Sequence, residues 1–116
     1  MTTLNDDLQK VTSILTKTFE IPGIQRNYDD SFNRIGKIFY RYGINHNAKD
    51  LRIIFTLCMQ KFFDSIPQEE WKLNDPSFVK NSEEYAIEKF KEWFIEQVTL
   101  YTFSLNLNLL VNVLYF

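Results

Sequence analysis

Cys58 is the only thiol in the chain, and His46 is the only imidazole. A catalytic cysteine needs a base or a positive charge to hold its thiolate, in a partly exposed place. Cys58 lies in Leu57-Cys58-Met59, within an apolar helical pattern, and reads as a buried small hydrophobe. A lone histidine cannot supply a two-histidine metal site, and the turn-like surroundings of His46 offer no nucleophile for it to activate. Neither a Gly-rich phosphate loop nor a G-x-S-x-G or H-E-x-x-H motif is present, so the residues point to no enzyme, metal, cofactor or small-molecule substrate. The paired acids Glu69/Glu70 and Glu83/Glu84 are sequence neighbours, which do not converge on a helix.

Charge placement is more informative. The formal net charge of −2 hides a basic middle and an acidic C-terminal half. Arg34, Lys37 and Arg41 recur at spacings of three and four, so on a helix they share one face, with Tyr40 beside them. With Arg52, and with Arg26 and Lys49 nearby, they form a strip able to contact phosphates or an acidic partner. Its plainer reading is a solvated helix face. Glu84, Glu88, Glu92 and Glu96 form the opposite kind of row, repeating every four residues. Like charges at that spacing repel slightly, and Lys89 and Lys91 offset part of it. Pairing of the acidic row with the basic strip, within one chain or between two, would leave the strip occupied.

The elements that carry these residues are helices. The 116 residues fit one domain, about 1–104 forming a bundle and about 105–116 an apolar tail. Eleven Phe, six Tyr and two Trp supply large rings for a core, whereas three Gly and three Pro leave few turns for a β fold. The expected class is all-α, a compact four-helix bundle, or five if the tail adds one. Leu8, Val11, Leu15 and Phe19 mark a first helix ending before Pro22-Gly23. Phe32, Ile35, Ile38, Phe39 and Tyr42 mark a second, capped by Asp30 or Ser31 and closed by a left-handed Gly43. A third from Asn47 to Ile66 is apolar nearly all round and reads as central. Residues 67–81 read as a long connection with one turn after Asp75-Pro76, and a fourth helix starts near Ser82.

The last nineteen residues carry no charge. Leu105, Leu107, Leu109, Val111, Val113 and Tyr115 alternate with a set that includes three Asn, the period of a one-sided strand. Leu and Asn favour helix over strand, so both conformations stay open. The tail reads as core, as an interface, or as a membrane anchor. The three Asn and the lack of a flanking Lys/Arg cluster argue against the anchor. One cysteine and a polar, acidic N-terminus point to the cytoplasm. The expected role is a non-enzymatic protein–protein interaction module, an accessory or regulatory subunit that binds a partner or itself. The alternatives are a subunit of a nucleic-acid complex and a tail-anchored membrane protein.

Overall fold

The computed structural model describes the backbone of residues 3–115 and the side chains of residues 3–103. Four α-helices follow one another: α1 (Leu4–Glu20), α2 (Tyr28–Tyr40), α3 (Ala48–Asp64) and α4 (Pro76–Tyr115). Single 3₁₀ turns at Gly23–Gln25 and Gln68–Glu70 join α1 to α2 and α3 to α4. The all-α bundle expected from periodicity is present.

Each helix starts where its sequence offers a cap. Thr3 and Asp6 form a reciprocal capping box on α1. The side chains of Asn27 and Asn47 accept from the amides of Asp30 and Asp50 on α2 and α3. Thus the cap of α2 lies three or four residues before the expected Asp30 or Ser31. The polar Asn27 side chain reaches the first-turn amide, which hydrophobic spacing alone does not reveal. Likewise α4 begins at Pro76 rather than Ser82, with Asp75 accepting from the Ser77 amide. The long connection expected over 67–81 therefore ends at Asp75.

The core is a stack of rings. Phe32, Phe39, Phe90 and Phe94 are fully buried, and the ring centroids of Phe39 and Phe94 lie 4.1 Å apart, edge to face. Phe55 of α3 joins from below, 5.8 Å from Phe90 and 5.9 Å from Phe32. The third helix, apolar nearly all round and expected to be central, is buried along one side only. Only Leu51, Phe55 and Cys58 of α3 are buried, while Ile53 and Leu57 point outward. Its second apolar stripe stays at the surface, while α3 packs mainly on α4 and α2.

A second ring cluster closes the far end of α3. Phe62 and Phe63 meet Phe78, and Phe63 meets Trp71 at 5.1 Å. The Trp71 indole N–H donates to the carbonyls of Phe63 and Ile66. It thereby satisfies acceptors that the last turn of α3 leaves open. At the other end, Gly43 adopts φ 77°, and the amides of Gly43 and Ile44 bond back to Tyr40 and Phe39. That pattern is a Schellman stop, as the glycine predicted.

The longest element is α4, at 40 residues. The tail that could be strand or helix is helical to Tyr115, so Leu105 to Tyr115 continue one element rather than forming a separate one. Tyr101 still touches the bundle, its ring lying over Gly43. Beyond it the helix runs on for about 20 Å at 1.5 Å per residue. The molecule is correspondingly elongated, with extents of 62 × 30 × 23 Å.

Candidate functional site

Three surfaces stand out, and the residues of the expected basic strip do not stay together. Arg41 turns inward. Its guanidinium donates to the Asp7 carboxylate at 2.7 Å, joining the end of α2 to the start of α1. Asp7 is buried and also accepts from the Tyr42 hydroxyl. Burial, followed by this bond to a carboxylate, pushes the Tyr42 phenol from 10.0 up to about 12. Sequence reasoning passed over Asp7, which looks like one more acid of a polar first turn. Its position one residue before Leu8, on the edge of the apolar stripe, was the available signal.

Arg52 leaves the strip as well, its guanidinium lying 4.5 Å from the centre of the Tyr28 ring. Arg26 caps α1 by donating to the carbonyls of Phe19 and Ile21. Arg34 and Lys37 remain outward on α2. With Tyr40 and with Asn45 and His46 of the α2–α3 turn they line a groove of about 520 Å³. Neither Arg34 nor Lys37 has an ion pair among the described residues. Gly36 allows the turn to come this close, since a Cβ there would stand 3.1 Å from the His46 carbonyl oxygen.

Among the described residues no ion pair joins the acidic row to Arg34 or Lys37. Glu88 and Glu92 pair with Lys91 and Lys89 on the same helix, at 3.3 and 3.2 Å, and both acids are largely exposed. Such pairs contribute a few tenths of a kcal/mol at most. Nearer the start of α4, Glu83 and Glu84 border a larger groove of about 720 Å³, opposite Phe19 and Glu20 of α1 and floored by Val79 and Ile87. Partial burial raises the Glu83 carboxyl, against the pull of Arg26.

The third surface is α4 itself. Ile95, Leu100, Tyr101 and Phe103 are exposed, Phe103 at 65%. The expected interface set of Leu105, Leu107, Leu109, Val111, Val113 and Tyr115 follows the period of a strand. On the helical backbone these positions advance by 200° per step and spread around the axis, so they do not form one face. Their side chains lie outside the described residues.

Cys58 is buried, and burial pushes its thiol up, the opposite of what a nucleophile requires. Among the described residues no His, Cys, Asp and Glu group is placed to hold a metal ion, and no helix is long and apolar enough to cross a membrane. No protein family, curated protein or solved structure matches the chain.

Proposed function

We propose that this protein is an interaction module, an accessory or regulatory subunit that presents the C-terminal part of α4 to another protein. The observation that carries the reading is the course of α4. It outruns the bundle, and its exposed side chains change from Glu92 and Glu96 to Leu100 and Phe103 as it does so. In the sequence beyond, Leu107, Leu110 and Leu114 continue the series at spacings of four, three and four, the repeat of a helix that packs on another helix. An apolar stripe of that kind is a liability in water unless something covers it. A second copy is the simplest cover, since it brings the same stripe.

Light scattering coupled to gel filtration tests this on the full chain and on the Leu100→Glu/Phe103→Glu variant. The expected result is a defined oligomer for the full chain and a folded monomer for the variant. A full chain that stays monomeric at every concentration overturns self-pairing. A variant that loses helicity and cooperative melting shows the stripe to be core, which overturns the reading altogether.

A further inference from the structure

The α2 groove offers a chemistry separate from the α4 surface. Two cations stand one helical turn apart, Arg34 and Lys37, and neither is committed to an acid among the described residues. Tyr40 follows after a further three residues and, at 69% exposed, is the most open of the described aromatic rings. Asn33, Asn45 and His46 add donors and acceptors along the wall. Asp30 also lines the groove, one turn before Arg34, and lowers the positive potential at that edge. We infer that this groove binds a short stretch of single-stranded nucleic acid, with Arg34 and Lys37 on successive phosphates and a base stacked on Tyr40. The cations alone would fit any phosphate. The open ring beside them favours a nucleic acid, because a base has a face to lay on it and a phosphopeptide does not require one.

The wall of the groove is built rather than incidental. Gly36 faces the His46 carbonyl closely enough that a Cβ would stand 3.1 Å from its oxygen, so a side chain there would push the turn back by a few tenths of an ångström. His46 is held from behind by Trp93, with ring centroids 5.6 Å apart, and by Phe39 at 6.3 Å. The groove is thus anchored to the aromatic core and does not depend on α4 beyond Tyr101.

The test is anisotropy of a fluorescein-labelled twelve-residue oligothymidylate across a salt titration. Two phosphate contacts to a single strand predict a slope of log affinity against log salt of about −1.4. Arg34→Ala/Lys37→Ala should bring that slope close to zero. Tyr40→Ala should weaken binding by roughly 5- to 150-fold, and Tyr40→Phe should retain it, because the ring is what stacks. All these side chains are exposed, so the variants should keep the parent's circular dichroism and melting. Absence of binding by the parent chain overturns the inference, as does binding that Arg34→Ala/Lys37→Ala leaves intact. Displacement by inorganic pyrophosphate, with Tyr40→Ala equal to the parent, would show a phosphate site without base recognition and would also overturn it.

Discussion

Arg41 and Arg34 are seven residues apart on the same helix, yet they serve different ends. Arg41 sits at the last turn of α2, where the bundle edge brings Asp7 within 2.7 Å; Arg34 sits two turns earlier and meets no acid among the described residues. The Asp7 cluster is therefore a clasp between the ends of α1 and α2. Tyr42→Phe should cost about 1 to 2 kcal/mol in urea unfolding, since the lost bond goes to a buried charged acceptor. The pH dependence has a definite sign. The folded state holds the Tyr42 phenol neutral, with its pKa raised from 10.0 to about 12. Stability from this group is fully present below pH 10 and falls away between about pH 10 and pH 12. Tyr42→Phe should flatten stability across that window. An unchanged alkaline slope in the variant would show that the phenol is not the titrating group.

At the scale of elements, the junction of α2 and α3 concentrates two constraints on Gly43. Its φ of 77° disfavours any side chain, and a Cβ would stand 2.5 Å from the Tyr101 ring. Gly43→Ala should destabilise by about 1 to 2 kcal/mol from the backbone alone, with more from the displaced ring. In a Tyr101→Ala background the ring contribution vanishes and the backbone cost remains, so a double-mutant cycle separates them. Equal costs in the two backgrounds would show that Tyr101 does not seat on Gly43.

This junction also shows what a sequence can disclose. Gly43 after an apolar stripe announced the stop of α2, because left-handed backbone is a local property. Phe32, Ile35 and Phe39 were readable as core for the same reason, their spacing being intrinsic to a helix. Asp7, by contrast, acquires its role only from Arg41 and Tyr42, 34 and 35 residues away. The outward course of Ile53 and Leu57 was hidden likewise, because it depends on which sides of α3 the other helices cover. In the basic strip, spacing correctly placed Arg34 and Lys37 on one face of α2. It could not show that Arg52 would spend its charge on the Tyr28 ring of a neighbouring helix.

For the whole molecule, the dominant fact is the mismatch between α4 and its bundle. A compact chain of this length has a radius of gyration of about 13 Å, whereas this one has 17.2 Å. Ending the chain at Ser104 should therefore bring the X-ray scattering radius of a monomer down toward the compact value, with the melting of the bundle preserved. A truncated chain that keeps the larger radius would mean that the bundle itself, and not α4, is elongated.

Tyr101 rests on Gly43, and Gly43 lies three residues from Tyr40 and from His46. The free run of α4 thus departs from the same end of the bundle that holds the α2 groove. A body seated on α4 would sit within a few tens of ångströms of that groove, on a stiff arm rather than a floppy linker. Any second ligand carried by that body would meet the groove at an effective concentration fixed by helix length. Two individually weak contacts would then act as one strong attachment, and adding or removing helical turns between Tyr101 and Tyr115 would tune it.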